Sequence, residues 1–210
     1  MGCELGKIQK KQNVLASKSL VQKKLLFLGP DNAGKTSILL QLKDNQFNEM
    51  TRVPTVGLNI ESIVYQKYEF TLWDVGGSRQ AARLWKHYFD KIDGVLFCLD
   101  IADRAKLRQC KEMLWRVNED SQMDKVPFLI YMNKIDKDEK MAQEELTTEL
   151  LLETLATKRQ VTVQLCSAKE GSGIWQGLNS MIEMLEADAS AATMQPRGRE
   201  SIRASNPAEA

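Results

Sequence analysis

The sequence has no long apolar run, no paired cysteine motif and almost no net charge. No stretch of about 18 consecutive apolar residues occurs, which excludes a membrane-spanning helix. The opening segment MGCELGKIQKKQ also lacks the apolar stretch of a secretory signal. The four cysteines show no CxxC spacing, and Cys98 and Cys110 fall in apolar segments. We therefore expect buried, reduced thiols and a protein on the cytosolic side of membranes.

The net charge of +1 is unevenly distributed along the chain. Residues 1–24 carry six lysines against Glu4, whereas residues 25–187 carry 20 basic and 24 acidic groups. A basic arm on a mildly acidic body suits an anionic membrane surface better than nucleic acid, and no nucleic-acid partner is expected.

At 210 residues the chain has room for one α/β domain with short extensions, and it shows no internal repeat. We predict a basic arm over 1–23, a domain over 24–187 and a disordered tail over 188–210, where Ala, Ser, Arg and Pro dominate without periodicity.

Apolar strand-like runs alternate with amphipathic helical patterns through the predicted domain, which predicts a mostly parallel sheet with helices on both faces. The predicted strands are 24–28, 58–66, 68–73, 95–99, 126–132 and 161–166, of which the second and third form an antiparallel pair. A helix is predicted over about 34–42, and apolar stripes predict further helices around 107–117, 146–151 and 174–185. We interpret these stripes as core packing.

Residues 29–36, GPDNAGKT, fit the pattern GxxxxGK[ST] between a predicted strand and a predicted helix. Glycines let such a loop curl so that successive N–H groups face phosphate oxygens, and the helix N-terminus adds positive potential. Lys35 would reach the β- and γ-phosphates and Thr36 would ligate Mg²⁺, while Pro30 has no N–H to donate. The predicted phosphate-binding residues are Asp31, Asn32, Ala33, Gly34, Lys35, Thr36 and Ser37.

Residues 133–136, NKID, at the end of an apolar strand, indicate which nucleotide base would be bound. The Asp136 carboxylate can accept two hydrogen bonds from the N1–H and 2-amino groups of guanine, a donor pair that adenine lacks. Asn133 would brace the loops, and Lys134 would lie along the base. The segment Ser167-Ala168-Lys169 follows the next strand, where the Ala168 N–H can bond the guanine O6.

Two segments between these motifs are predicted to sense the γ-phosphate. Asp74 ends a strand and can hold Mg²⁺ through water, and the Gly77 N–H can bond the γ-phosphate. Thr55 is placed to complete the Mg²⁺ shell. Loss of the phosphate would release both segments, which describes an order–disorder switch.

GPDNAGKT, PTVGLN, LWDVGGS, LWKHYF and NKID occur in this order and resemble the Arf/Arl branch of the Ras superfamily of small GTPases. The resemblance covers residues 24 to about 187. It implies a six-stranded, mostly parallel P-loop domain and a monomer that binds GTP or GDP with Mg²⁺. The implied partners are an exchange factor, a GTPase-activating protein and effectors.

The resemblance also implies that the strand pair over 58–73 slides in register during nucleotide exchange and couples to the N-terminal arm. Trp73 and Tyr88 match aromatics at the effector surface of Arf proteins, where Leu58 replaces the usual Phe. Core packing is an equal interpretation for both aromatics. His87, in the same segment, is interpreted as structural.

The candidate catalytic residues are Lys35, Thr55 and the residue at position 78, where this chain departs from the family. Arf proteins have Gln after WDVGG to orient the attacking water, and Ser78 is too short to reach that water. Intrinsic hydrolysis should therefore be weak. Arg79 is interpreted as a surface charge.

A GTP-binding scaffold that hydrolyses almost nothing is the main alternative function. An ATP-dependent P-loop kinase is a third, but it would leave NKID and SAK unexplained.

The N-terminal Met1-Gly2-Cys3 is typical of dual acylation, with myristate on Gly2 and palmitate on Cys3, although position 6 is Gly instead of the preferred Ser or Thr. The arm's lysines would strengthen membrane binding. The C-terminal NPAEA has no prenylation box, which argues against Ras, Rho and Rab types. We expect a cytoplasmic protein, peripheral on membranes, in trafficking or ciliary-type transport.

Overall fold

In the computed structural model the described residues are 20–45, 47 and 55–193. Six strands in this part of the chain form one sheet. They form where the sequence is rich in apolar and β-branched residues, the types that fill a pleated, buried surface. The strands are β1 (Val21–Leu28), β2 (Leu58–Tyr65), β3 (Tyr68–Val75), β4 (Gly94–Asp100), β5 (Phe128–Asn133) and β6 (Val161–Cys166).

The strand order is β2-β3-β1-β4-β5-β6. β2 and β3 are antiparallel, and every other neighbouring pair is parallel. The predicted fold class, a six-stranded and mostly parallel sheet, is confirmed. The carboxyl ends of β1, β3, β4, β5 and β6 therefore lie along one edge of the sheet, the edge at which α/β proteins bind ligands.

The helices predicted around 34–42, 107–117, 146–151 and 174–185 have counterparts in the structure, whereas the short helices Arg79–Ala82 and Leu152–Ala156 were not predicted. The α-helices in the described ranges are α1 (Lys35–Asp44), α2 (Arg79–Ala82), α3 (Leu107–Asn118), α4 (Gln143–Glu149), α5 (Leu152–Ala156) and α6 (Ile174–Thr193). Short 3₁₀ turns cover Trp85–Tyr88, Arg104–Lys106 and Ser121–Met123.

One of the three predicted apolar stripes is only partly correct. Leu146 and Leu150 are fully buried, but Leu151 is 42% exposed. Leu151 has a φ of 56° and lies between α4 and α5. Because the chain turns in this left-handed conformation, the Leu151 side chain leaves the face shared by its neighbours.

The core consists of two apolar layers on opposite faces of the sheet. Along β1, Leu26 and Leu28 belong to one layer, and Leu25 and Phe27 belong to the other. This alternation follows from the period of two of a β-strand. The first layer includes buried residues of α3, and the second includes buried residues of α1 and α6.

The cysteines of the described region are buried and free. Burial raises the pKa of Cys98 and of Cys110 to about 12, because a thiolate would be poorly solvated there. Burial also raises the pKa of Cys166. The prediction of buried, reduced thiols at Cys98 and Cys110 is therefore confirmed.

The ends of the domain differ from the predicted boundaries. β1 begins at Val21 because its backbone already pairs with Tyr68 of β3 there. α6 continues to Thr193, so the prediction of a disordered tail from residue 188 is wrong for 188–193. This stretch is rich in alanine, the strongest helix former.

The rest of the predicted arm and tail, including Gly2 and Cys3, lies outside the described residues. Within the described ranges, no helix combines the length and apolarity needed to cross a membrane.

Candidate functional site

The predicted phosphate loop, residues 29–36, connects β1 to α1. Gly29 has a φ of 133°, and a Cβ there would lie 2.0 Å from the Cys98 carbonyl oxygen. Gly34 has a φ of 100°, and a Cβ there would lie 2.1 Å from Asn133 Nδ2. Both positions require glycine, because the loop passes against the carboxyl ends of β4 and β5.

Side chains from neighbouring segments hold three successive carbonyl groups of this loop. Lys106 Nζ donates to Asp31 O at 2.9 Å, Lys134 Nζ to Asn32 O at 2.6 Å, and Asn133 Nδ2 to Ala33 O at 2.8 Å. In a planar trans peptide the N–H points away from the C=O. The N–H groups of Asn32, Ala33 and Gly34 therefore face the opposite side of the loop.

The loop leads directly into the first turn of α1, residues 35–37. The N–H groups of a first helical turn point out of the helix N-terminus, where the helix dipole favours an anion. Together with the N–H groups of residues 32–34, this turn forms a cradle suited to phosphate. The structure thus brings together the predicted phosphate-binding residues 32–37.

Lys35 is a buried cation beside this cradle, only 5% exposed. Its Nζ donates to the carbonyl oxygens of Gly29 and Pro30, each at 3.0 Å. Burial lowers the pKa of Lys35, and the Asp74 carboxylate acts in the opposite direction. A phosphate bound against the ammonium would further favour its charged form. Lys35 therefore fits its predicted role.

The three predicted metal-binding residues meet at one point. Thr36 Oγ1 donates to Asp74 Oδ2 at 2.6 Å and lies 2.9 Å from Thr55 Oγ1. Asp74 is fully buried, and its Oδ1 has no hydrogen-bond partner among the described residues. Burial raises the pKa of Asp74, while Thr36 and Lys35 oppose this shift. Hydroxyl and carboxylate oxygens are the ligands that Mg²⁺ prefers, so the cluster fits that ion.

Asn133 bridges the phosphate loop to the segment after β6. Its Nδ2 donates to Ala33 O at 2.8 Å, and its Oδ1 accepts from the Ala168 N–H at 3.0 Å. Asn133 therefore braces the two loops in the manner predicted. The Ala168 N–H was predicted to bond the guanine O6, but in this structure it donates to Asn133.

Asp136 and Lys134 are each oriented by a neighbouring side chain. Ser167 Oγ donates to Asp136 Oδ1 at 2.6 Å, and Lys134 Nζ lies 2.7 Å from Asp100 Oδ2. These contacts place the Asp136 carboxylate beside Ser167 and extend Lys134 across the phosphate loop. Lys169, the remaining predicted residue of this group, is exposed.

The segment after β3 lies against the phosphate loop. The Asp31 N–H donates to Gly77 O at 3.1 Å, so this predicted phosphate donor is bonded to Gly77 in the structure. A Cβ on Gly77 would lie 2.4 Å from Gly29 O. Glycine is therefore the residue that allows the two segments to touch.

Ser78 is exposed and caps the N-terminus of α2. Its Oγ accepts a hydrogen bond from the Ala81 N–H at 3.1 Å. This is the usual contact of a serine at a helix N-cap. The Ser78 hydroxyl therefore has a structural partner in its own helix.

Trp73 and Tyr88 are half-buried and pack edge to face, with ring centroids 6.1 Å apart. Lys24 Nζ lies 3.7 Å from the centroid of the Trp73 ring. Both aromatics contact the first core layer, as does Leu58. His87, interpreted from the sequence as structural, is exposed in the turn Trp85–Tyr88.

Two charged residues of the site were not predicted from the sequence. Asp100 is the last residue of β4 and is 7% exposed. Lys106 lies in the 3₁₀ turn before α3 and contacts the phosphate loop at Asp31. A carboxylate at the end of a buried strand is a usable signal for Asp100. No sequence pattern marks Lys106 as a site residue, because it is 75 residues from Asp31 and the two are brought together only by the fold.

A separate cleft of about 640 Å³ lies at the amino end of β6. None of the predicted site residues lines it; its walls include Lys125, Lys158, Val161, Met184 and Asp188. Since the predicted residues follow the carboxyl ends of β5 and β6, this cleft is distinct from the candidate site.

Comparison with known proteins agrees with this geometry. The model of the ADP-ribosylation factor family matches residues 10–185. The chain is also similar to a solved structure, the Arl6 BBS3 small GTPase from Trypanosoma brucei with a bound nucleotide analogue, GppNp. The two are 28% identical with a TM-score of 0.73, over 80% of this chain and 99% of that one.

Proposed function

The chain belongs to the ADP-ribosylation factor family and is a small GTPase of the Ras superfamily, and on this premise we propose that it is a guanine-nucleotide switch that recruits effectors. Its ligands would be GTP and GDP together with Mg²⁺. The similar Arl6 protein was solved with GppNp, a nucleotide analogue, which supports the assignment of the nucleotide.

The observation that carries the proposal is that Thr36, Thr55 and Asp74 lie together. Thr36 Oγ1 is 2.9 Å from Thr55 Oγ1 and 2.6 Å from Asp74 Oδ2. Thr36 belongs to the phosphate loop and α1, whereas Thr55 precedes β2 and Asp74 lies near the end of β3. A ligand held by all three would tie the segment before β2 and the end of β3 to the phosphates. Loss of the γ-phosphate would remove that tie, which is the physical basis of a switch.

Selection of guanine would depend on Asp136. Its carboxylate is oriented by the Ser167 hydroxyl at 2.6 Å and can accept from both the N1–H and the 2-amino group. Adenine would place an unprotonated nitrogen against the carboxylate, leaving the charge without a donor. A charged group left without a hydrogen-bond donor is costly, so the site would discriminate strongly against adenine.

Hydrolysis would depend on electrostatic positioning. The Lys35 ammonium and the N–H groups of residues 32–36 would face charge that develops on the phosphates. When bound, Mg²⁺ would neutralise charge on the β- and γ-phosphates, and Thr36, Thr55 and Asp74 are the residues that would hold it.

A second candidate function, a GTP-binding scaffold with negligible hydrolysis, is favoured by one observation. The Ser78 hydroxyl is bonded to the Ala81 N–H and is therefore engaged in capping α2. The short side chain is held against its own helix in that role, and it lacks the reach of the family's Gln amide toward an attacking water. The scaffold would remain loaded with GTP until an exchange factor or an activating protein acted on it.

We place the switch at the cytoplasmic surface of membranes, in trafficking or ciliary-type transport. The support is the basic N-terminal arm with Gly2 and Cys3, since one acyl chain binds weakly and a second chain or a polybasic patch makes binding stable. In co-sedimentation of the acylated protein with anionic vesicles, Gly2→Ala should release most of the protein and Cys3→Ser part of it. Equal partitioning of wild type and Gly2→Ala would end the acylation proposal.

The function itself is tested by identifying the nucleotide in purified protein and by single-turnover hydrolysis of preloaded GTP with Mg²⁺. We expect tight GDP and GTP binding, no competition by ATP and slow phosphate release. Release that stays undetectable over many hours, with GTP tightly bound, would favour the scaffold. Equal competition by ATP would overturn the guanine assignment.

A further inference from the structure

Trp85 is a buried residue whose indole N–H contacts the segment after β3. Its side chain is 2% exposed, and Nε1 donates to Gly76 O at 2.9 Å. Tryptophan can donate only through this one group. The contact joins the 3₁₀ turn Trp85–Tyr88 to the peptide between Gly76 and Gly77.

Gly76 is held from its other side as well. Its N–H donates to Gly57 O at 2.9 Å, and a Cβ on Gly76 would lie 2.6 Å from Thr55 O. Both polar groups of Gly76 are thus bonded, one to the segment that carries Thr55 and one to Trp85. The orientation of this residue is determined by two independent contacts.

The Trp85 contact sets the direction of the next N–H group. The Gly76 carbonyl and the Gly77 N–H belong to one planar peptide, and no cis peptide occurs among the described residues. In a trans peptide these two groups point in opposite directions. Because Trp85 holds the carbonyl toward the core, the Gly77 N–H is directed away from the core.

Gly77 also lies directly against the phosphate loop. Its carbonyl accepts from the Asp31 N–H at 3.1 Å, and a Cβ on Gly77 would lie 2.5 Å from Asp31 N. Its N–H, directed away from the core, is therefore presented beside the loop that cradles the phosphates.

Trp85 is well suited to hold this peptide because its surroundings are rigid. The indole belongs to the first core layer, together with Ala82, Phe89 and Val95. The helix α2, which precedes it, is capped by Ser78. A close-packed core fixes such a side chain in one rotamer, unlike an exposed glutamine or serine.

We propose that Trp85 is a positioning residue for recognition of the γ-phosphate: its indole N–H aims the Gly77 N–H at that group. This inference rests on the proposed switch function. Trp85 does not touch the nucleotide and acts only through the Gly76–Gly77 peptide. Removing its N–H should therefore weaken binding of a nucleoside triphosphate and leave binding of the diphosphate nearly unchanged.

The first test measures the dissociation constants of GppNp and GDP, with Mg²⁺, for Trp85→Phe. We expect binding of GppNp to weaken about tenfold, the scale of one hydrogen bond to a charged group, and that of GDP to change by less than about twofold. The matched control is Trp115→Phe, because Trp115 Nε1 also donates to a backbone carbonyl, Leu150 O, at 2.9 Å. The control should leave the ratio of the two constants unchanged.

A second variant separates the N–H group from the volume of the ring. Site-specific 3-benzothienylalanine at position 85 keeps the bicyclic shape and replaces the N–H by sulfur, so it should reproduce the loss for GppNp without a cavity. The amide resonance of Gly77 in ¹H–¹⁵N spectra should move downfield between GDP and GppNp in wild type, and this movement should shrink in both variants.

The outcomes distinguish this inference from the function on which it rests. If wild type binds GppNp and GDP but both Trp85 variants keep the wild-type ratio and Gly77 shift, the positioning role is overturned. If wild type itself binds neither nucleotide, the proposed function fails first. Equal weakening for GppNp and GDP in both variants would reduce Trp85 to a residue of general stability.

Discussion

The phosphate edge of the sheet and the turn of the β2–β3 hairpin (residues 65–68), at the opposite edge, are held by different kinds of contact. At the phosphate edge, Lys35, Asp74 and Asn133 are at most 5% exposed and are bonded to backbone or side-chain groups. At the hairpin, Lys67 forms an ion pair with Glu186 of α6, and their side chains are 59% and 46% exposed. Buried polar groups lose much when one partner is removed, whereas exposed ion pairs contribute little.

The hairpin makes further polar contacts with α6, of which those of Tyr65 and Gln66 are partly or fully exposed and that of Tyr68 is partly buried. Tyr65 Oη donates to Asn179 Oδ1 at 3.0 Å, Gln66 Nε2 donates to the same atom at 3.0 Å, and Tyr68 Oη donates to Glu186 at 3.1 Å. The contacts of Tyr65 and Gln66 can be replaced by contacts with water at small cost. The comparison teaches that the end with the phosphate loop and Asn133 is the fixed end, held by buried contacts, while the hairpin turn can change partners, as the sliding of β2–β3 implied by the family resemblance would require.

The largest effect is expected at the fixed end, for Asp136→Asn. It removes a charged acceptor facing two guanine donors, so GDP and GTP affinity should fall on the order of a hundredfold. Affinity for xanthine nucleotides, whose base presents an acceptor there, should rise. Competition titrations with GDP and XDP measure both changes, and Asp138→Asn, an exposed neighbour, is the control. An unchanged preference for guanine would place the base elsewhere.

A smaller effect is expected for Ser78→Gln, next to the fixed end. A water-orienting amide should speed hydrolysis of preloaded GTP about tenfold, or about 1.4 kcal/mol in barrier. An activating protein should enlarge the gain, since an arginine finger and an oriented water act together. The measurement is single-turnover phosphate release at saturating Mg²⁺.

Ser78→Ala serves as the control for this experiment, because it removes the cap of α2 without supplying an amide. It should lower stability by about 1 kcal/mol and leave hydrolysis slow. Wild type that already hydrolyses as fast as Ser78→Gln would show that another residue positions the water. Arg79 and Gln80 would then be examined first, and the scaffold alternative would lose its main support.

The smallest effect is expected for Tyr65→Phe at the hairpin, which is compared with the same chemical change at a buried position. Tyr131 is fully buried and its Oη donates to Ile174 O at 2.7 Å, so Tyr131→Phe should destabilise the protein by about 1–3 kcal/mol. Tyr65→Phe, at the hairpin, should cost about 1 kcal/mol or less. Urea unfolding of the GDP-bound forms measures both, and equal losses would contradict the proposed contrast between the two ends.

Much of the site could be predicted because its candidate residues occur in short sequence motifs. The phosphate loop depends on glycines whose backbone conformation few other residues adopt, at Gly29 and Gly34. The strands and most helices follow from apolar periodicity. Leu151 and the end of α6 could not be placed by periodicity, because a left-handed turn and alanine propensity decided them.

The sequence by itself therefore determined the class of fold, the order of the motifs and the candidate residues for nucleotide binding. Only the tertiary structure decided which distant groups hold those residues in place: Lys106 with Asp31, Lys134 with Asn32, and Trp85 with the Gly76 carbonyl. Local spacing specifies backbone conformation and side-chain chemistry. The partners of the first two pairs are separated by 75 and 102 residues, and only packing of the sheet brings such groups within hydrogen-bonding distance.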